Sequence, residues 1–426
     1  MNHTADQHEP THHVAAPDRL VSLDIVRGVA VLGILLLNIV NFAMPEAAYV
    51  NPRAYGGWHG ADLVAYLINF VLFDGKMRGL FSFLFGASML LVIDRAHAAG
   101  RPAARVHFAR MAWLLLFGLA HLWLVWRGDI LVHYALIGMI AFTLRGMRVE
   151  RLLALGITLV LANTLLFATM PLMVWQLSHP AADAAEAARN ADALQSLVSA
   201  LGVPPPAEIA RELALYRSDY ATILADRFRN DLATPLGALL FGGPETLAYM
   251  LFGMAGLRSG MLRGAWAPAR YRRWLLVCWG IALPGYVALA AYLVASGFGL
   301  FAVALAVLTL AAPLRPLMIT GWACLILLLA RRGGPLAARL AATGRMAFTN
   351  YLATSLICTT LFYGYGLGWF GSLSRWQLYP VVALVWAAML LWSQPWLARF
   401  RFGPFEWLWR SLARASLQPM RIAPPQ

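Results

Sequence analysis

The sequence predicts an all-α fold, a polytopic transmembrane helix bundle of about ten spans, and three observations carry that expectation. Hydrophobic residues make up 60% of the 426 and charged residues only 13%, with a mean hydropathy of +0.64. Soluble domains carry about a quarter charged residues. Several apolar runs reach the ~18 to 20 residues that cross a bilayer, and soluble core helices are rarely that long and uniformly apolar. Arginines gather in short clusters between the runs, the pattern that the positive-inside rule produces.

The same clustering explains the net charge of +14. Outside the spans no basic surface interleaved with aromatics remains, so nucleic acid is excluded as a partner. Cys278, Cys324 and Cys358 all lie in apolar segments without metal-ligand spacing, and read as small core residues. No metal site is expected. The stretch from Met1 to Asp18 is polar, with His3, His8, His12 and His13, and lacks the basic-then-apolar order of a signal peptide. It reads as a disordered tail (1–18), ahead of an N-terminal bundle (19–176), a periplasmic segment (177–234), a C-terminal bundle (235–399) and a cytoplasmic interfacial tail (400–426).

The first span covers about Leu23 to Phe42, with Arg19 and Arg27 at its start and Pro45 beyond its end, which places the N-terminus in the cytoplasm. Asn51 to Asp74, broken by Gly56, Gly57 and Gly60, reads as an outer loop and a half-inserted helix. The second span, Met77 to Ile93, leads to the basic loop of Arg95, Arg101, Arg105 and Arg110. The third (Met111 to Trp126) and fourth (Ile130 to Leu144) are joined by the tight outer turn Arg127-Gly128-Asp129, and the fifth ends near Trp175. His179 to Asp231 is the one long hydrophilic stretch. It reads either as helices lying over the membrane mouth or as a tether.

The sixth span (Leu236 to Leu257) returns to Arg258, Arg263, Arg270, Arg272 and Arg273, and the seventh covers Leu275 to Ala295. Pro313 and Pro316 split Gly297 to Ala330. One broken crossing keeps Arg331, Arg332, Arg339 and Arg345 inside, so charge bias selects one crossing over two; Arg315 is the residue at odds with it. The ninth and tenth spans are Met346 to Gly364 and Val381 to Leu397. Phe400 to Ala415 is amphipathic, with Trp407 and Trp409 beside Arg410 and Arg414, which suits the inner interface.

Ionisable groups inside spans cost ~2.5 to 3.5 kcal/mol on insertion scales and are functional candidates by default. Asp24 and Arg27, one turn apart, can pair on one helix face. Asn38 returns to that face three turns later. His121 lies in the outer half of the third span, with Asp129 and His133 held near it by the three-residue turn. A carboxylate that orients an imidazole is the recurring arrangement of a general base. Lys76 is the only lysine among the 34 lysine and arginine residues, which marks it as a site where arginine does not substitute, and Arg78 beside it is placed to share an anionic ligand. His59 follows Trp58 in the glycine-rich segment, as an interfacial pair or a catalytic group. Arg345, Thr349, Asn350 and Tyr351 form a polar cluster that either receives an anion or anchors its helix.

Leu23-Asp24-Ile25-Val26-Arg27-Gly28, Gly33 to Asn38, Leu80 to Ala87, His121 with Trp126, and Gly128-Asp129-Ile130-Leu131 with Tyr134 form an ordered set of motifs. Gly344-Arg345-Met346-Ala347, Thr349-Asn350-Tyr351-Leu352, Gly403-Pro404 and Glu406-Trp407-Leu408-Trp409 complete it. With these the sequence resembles the YeiB family of bacterial inner-membrane proteins. More distantly it is similar to membrane acyltransferases of the heparan-α-glucosaminide N-acetyltransferase type, mainly through the Asp-x-x-Arg-Gly start of the first span. Asn38 stands where the glucosaminide enzymes carry the same residue, and His59 is the counterpart of their loop histidine. The YeiB match falls on His121, which is therefore the preferred base.

The resemblance implies an acyltransferase-like bundle that takes acyl-CoA (acetyl-CoA) as co-substrate. Arg27 and Arg345 would receive its phosphates, His121 with Asp129 would act as base, and Asn38 or Lys76 would hold the oxyanion. Expected partners are the lipid bilayer and a small-molecule, glycan or lipid acceptor, with a homodimer as the candidate assembly. The alternative is a transporter or flippase of a small anionic or lipidic molecule. The helix broken at Pro313 and Pro316 suits it; no internal repeat supports it.

Overall fold

In the computed structural model the described residues are 20–422 except 182. The expected N-terminal tail and its four histidines lie outside them. Among the described residues every regular element is helical, and one isolated bridge joins Phe400 to Arg421.

Helix α1, Val21–Ala43, is apolar but for a few polar groups and its most apolar stretch is 83% buried, so it forms the bundle's axis rather than its rim. It stops where Met44 turns extended before Pro45. A short α2, Ala47–Val50, precedes α3, Gly60–Ile68, which runs into a π-helical segment, Asn69–Phe73. The chain breaks at Asp74 and Gly75 and resumes as α4, Lys76–Ala98. Helices α5, Ala103–Leu124, and α6, Leu131–Thr143, follow, then α7, Val149–Leu177.

The hydrophilic segment folds as α8, Ala184–Leu201, α9, Pro206–Tyr216, and α10, Tyr220–Asn230; the carboxylates of Asp183 and Asp219 cap α8 and α10. It is anchored rather than tethered. Tyr220 donates to the Leu124 carbonyl at 2.9 Å, Arg217 to that of Phe370 at 2.8 Å, and Tyr216 and Ile223 share a buried cluster with Trp126 and Tyr363. The segment therefore roofs the turn between α5 and α6.

In the C-terminal half come α11, Thr234–Arg258, and α12, Pro268–Ala295. The stretch holding Pro313 and Pro316 is a broken helix: α13, Leu300–Val303, runs into a second π segment, Ala304–Leu310, then bends by 55° into α14, Arg315–Ala330. The basic stretch after it is not a loop but α15, Pro335–Arg345, packed along α1. Helices α16, Ala347–Phe362, α17, Leu378–Arg399, and α18, Pro404–Arg414, complete the chain.

Among the described residues seven helical stretches are long and apolar enough to cross a membrane: α1, the joined Gly60–Ala98, α5, α7, α11, α12 and α17. The bent pair makes an eighth. Counting about ten spans adds α6 and α16, of 13 and 16 residues. At 1.5 Å per residue these are only about 20 and 24 Å long, against ~30 Å of hydrocarbon. Large side chains on the outer helices face outward, with Leu165 71%, Leu276 72% and Leu384 72% exposed, a rim that only lipid satisfies. The protein is an integral membrane helix bundle. Its largest apolar cluster draws on both halves of the chain, from Leu23 to Val160 and from Ala248 to Leu352.

Candidate functional site

The chain from α5 to α6 turns so tightly that Val125 and Trp126 both donate backbone amides to the His121 carbonyl, at 2.9 and 2.8 Å. That turn brings Asp129 back over His121. His121 Nδ1 lies 2.8 Å from Asp129 Oδ1, and Asp129 Oδ2 accepts the Val132 amide at 2.9 Å, capping α6. Both side chains are shut off from solvent, at 3% and 0% exposed. In a neutral imidazole facing a carboxylate, which only accepts, Nδ1 carries the proton and Nε2 keeps its lone pair. Nε2 is buried and has no hydrogen-bond partner among the described residues. Outside the spans, Arg127 in the same turn is ion-paired to Glu46 and lies 3.8 Å from Glu212 of α9, which fixes the turn from above.

Beside the pair is a crevice of about 250 Å³ between α1 and α16, lined by Ile34, Leu35, Asn38, Phe42, Tyr351 and Ser355 among others. Asn38 lines it, and its side-chain amide has no partner among the described residues. Phe42 stacks on Trp126 at 4.0 Å, and the Tyr351 ring sits 5.3 Å from the His121 ring. Tyr351 thus stands between His121 and the crevice that Asn38 lines. His121 and Asp129 pair on one side of Tyr351, and Asn38 lines the crevice on the other.

The remaining candidates fall elsewhere. His133 does not add to the Asp129 pair: its Nε2 lies 2.8 Å from Thr246 on α11. Lys76 is not near Asn38 either. It is fully buried, donates to the Phe70 carbonyl and lies 3.4 Å over the Tyr286 ring. Arg78 does not share a ligand with it, because residues two apart on a helix point to different sides. Arg78 instead binds Glu245 Oε2 at 2.6 Å, while Arg315 binds Oε1 at 2.7 Å and Tyr249 donates to Oε1 at 2.7 Å. Glu245, Arg315 and Tyr249 are therefore the buried charge centre; the signal for it was one acid and one arginine inside otherwise apolar runs.

His59 stacks on Trp58 at 3.9 Å at the start of α3, with no hydrogen bond to the His121 pair. The Asn350 amide is engaged by protein groups at both its nitrogen and its oxygen. Its Nδ2 donates to the Thr343 carbonyl and Ser393, and its Oδ1 accepts from Trp392. Thr349 is engaged by Glu406, whose carboxylate also accepts the Phe348 and Thr349 amides at 2.7 and 3.1 Å. A carboxylate there completes the orphan amides of a helix start. Burial pushes the Glu406 carboxyl above its ordinary range, against those hydrogen bonds.

Asp24 and Arg27 pair as spaced, at 3.1 Å, and Arg27 also donates to Ser88 at 2.7 Å. Arg345 reaches the Arg401 carbonyl at 3.4 Å. Arg110, stacked 4.0 Å over Trp409, lies within electrostatic range of Arg27, Arg410 and Arg414, so four arginines converge at this end of the bundle. Among the described residues no three His, Cys, Asp or Glu side chains are grouped to hold a metal.

Fold and site define a polytopic helical membrane protein with a buried, roofed His–Asp pair. A family profile described as "Protein of unknown function (DUF418)" matches residues 257–416. The chain is 34% identical to the uncharacterized protein YeiB of Escherichia coli (strain K12) over 414 residues, covering 94% of this chain and 98% of that one. It is 31% identical to the uncharacterized protein YxaH of Bacillus subtilis (strain 168) over 417 residues, 95% and 96% of the two chains. A 39.9 kDa protein from the amylase 3' region of Bacillus acidopullulyticus is 25% identical over 408 residues, 94% and 95%. The chain belongs to the YeiB family. No solved structure matches it.

Proposed function

We propose that this protein is a membrane acyltransferase of the bacterial inner membrane. It would move an acyl group from cytoplasmic acyl-CoA, such as acetyl-CoA, to a hydroxyl or amine at the opposite face. The supporting observation is the His121–Asp129 pair at 2.8 Å, with Nε2 buried and unpartnered and only the Tyr351 ring between it and the crevice of Asn38.

In this reading Tyr351 swings aside when substrate enters, and His121 Nε2 takes the proton from the acceptor as its oxygen or nitrogen attacks the thioester carbon. The Asn38 amide donates to the developing oxyanion. The carbon–sulfur bond then breaks and the imidazolium returns its proton to the leaving thiolate. Arg27, Arg110, Arg410 and Arg414 supply cations for the phosphates of the coenzyme, with arginine bias placing that end in the cytoplasm. From Arg27 to Asn38 is eleven residues of α1, about 16 Å, so the thioester reaches the crevice only by entering the bundle.

The test is hydrolysis and binding of acetyl-CoA and other short-chain acyl-CoAs by purified protein. Wild type is expected to turn over, and His121→Ala to lose ~10²- to 10⁴-fold, the usual worth of a general base. Absence of both binding and turnover refutes the reading. A second reading, transport of a small anionic or lipidic molecule, draws support from the two broken helices, which meet where Arg315 lies against Gly75. Uptake into proteoliposomes without acyl-CoA turnover would select it.

A further inference from the structure

On another face of α1 from the Asn38 crevice lies a larger chamber, of about 380 Å³. Leu37 and Val40 line it from α1, Val307 from the second π segment, and Phe70 from the first. Both segments that depart from α-helical geometry thus border one space. π turns and interrupted helices inside a membrane persist where the backbone lines a cavity. The chamber's walls are apolar apart from a small set of polar groups, and two of these carry opposite charge: Asp74 and Arg375.

Each charge is held in place yet incompletely used. Asp74 sits at the break before Gly75, and its carboxylate accepts the Tyr49 hydroxyl at 2.9 Å. Lys76 and Arg315 lie within electrostatic range of it, but Lys76 donates to the Phe70 carbonyl, and Arg315 to Glu245 and the Val307 carbonyl. Arg375 is 2% exposed. Its backbone amide donates to the Gly56 carbonyl at 2.8 Å, and its Nη2 to the Ala48 and Tyr55 carbonyls at 2.7 and 3.4 Å. Its Nε is buried without a partner among the described residues, and no carboxylate pairs with the guanidinium at salt-bridge distance. A buried cation left unpaired is costly, and it persists where an anion completes it.

We propose that this chamber binds a small zwitterion, its carboxylate, sulfonate or phosphate group on Arg375 and its ammonium on Asp74, with the linking carbons against Leu37, Val40 and Val307. A singly charged ligand would answer only one of the two lining charges and leave the other buried against it. The inference uses neither the acyl-transfer nor the transport reading, since it concerns equilibrium binding at residues separate from His121.

The experiment is calorimetric titration of the full-length protein in lipid nanodiscs with glycine, glycine betaine, taurine and O-phosphoethanolamine. Acetate, ethylamine and ethyl phosphate serve as singly charged controls. At least one zwitterion is expected to bind saturably, at least tenfold tighter than its singly charged counterpart. Asp74→Asn and Arg375→Gln should each weaken it tenfold or more. Val307→Phe, which fills the chamber without touching either charge, should abolish binding while melting like wild type, and His121→Ala should leave it unchanged. If no zwitterion binds, if the singly charged controls bind as tightly, or if Asp74→Asn and Val307→Phe both bind like wild type, the assignment is overturned.

Discussion

Gly28 and Gly344 bring α1 and α15 together backbone to backbone. A Cβ on Gly28 would stand 2.1 Å from the Leu340 carbonyl oxygen, and one on Gly344 would stand 1.9 Å from that of Asp24. Neither obstacle is a flexible side chain, so the helices must part to admit a methyl group. Gly28→Ala and Gly344→Ala are each expected to destabilise the protein by ~1 to 3 kcal/mol, as overpacking does. Gly280, in α12 with nothing within 4 Å of an added Cβ, is the control. Gly280→Ala should raise stability by up to ~1 kcal/mol through helix propensity. Thermal unfolding in one detergent reads all three.

Asp129 is expected to matter through His121. Asp129→Asn retains an oxygen for the Val132 amide, so α6 keeps its cap and the fold survives. It removes the charge that fixes the proton on Nδ1 and stabilises the imidazolium. Under the acyl-transfer reading, turnover should fall ~10²-fold or more, within the range of general-base loss. Asn38→Ala should cost ~10²- to 10³-fold in kcat with little change in acyl-CoA affinity, the signature of an oxyanion donor. Loss of acyl-CoA affinity with kcat unchanged in Asn38→Ala would place that amide in ground-state binding instead.

Much of the architecture was legible because lipid forces every spanning backbone into helices, which leaves long apolar runs in the sequence. The Asp24–Arg27 and His121–Asp129 pairs were legible as well, since a helical turn and a tight loop fix both by local geometry. Contacts between distant helices were not. Nothing local says that Glu245 collects Arg78 and Arg315, that Glu406 caps α16, or that Asn350 is satisfied by Thr343, Ser393 and Trp392. These depend on helix rotation and crossing, which residue spacing along one helix does not encode. The Gly28 and Gly344 motifs illustrate the difference: each reads alone as a polar helix start, and their shared purpose appears only when the backbones touch.

Tyr351 separates His121 from the crevice, and its removal should open one to the other. His121 Nε2 is sealed in the wild type, so acylation of that nitrogen by diethyl pyrocarbonate should be slow. Tyr351→Ala should speed it at least tenfold, with His121→Ala as the blank that assigns the modified residue. Tyr351→Phe keeps the ring that forms the wall and should react like wild type. Equal rates in wild type and Tyr351→Ala would mean that another side chain guards the imidazole.

Glu245 binds two guanidinium groups and a tyrosine from a position 4% exposed. Its value lies less in net attraction than in what its removal leaves behind. Glu245→Gln preserves shape but leaves Arg315, 13% exposed, and the half-buried Arg78 without a counter-charge, and a fully buried broken pair costs ~3 to 5 kcal/mol. Replacing Arg78 as well, as Arg78→Met with Glu245→Gln, removes one of the stranded cations. The double variant should therefore be more stable than Glu245→Gln alone, a coupling that independent sites would not show. Chemical denaturation of the two single variants and the double reads the cycle. Strict additivity would mean that the Arg78–Glu245 contact at 2.6 Å contributes no coupling to stability, and that Arg315 alone balances the acid.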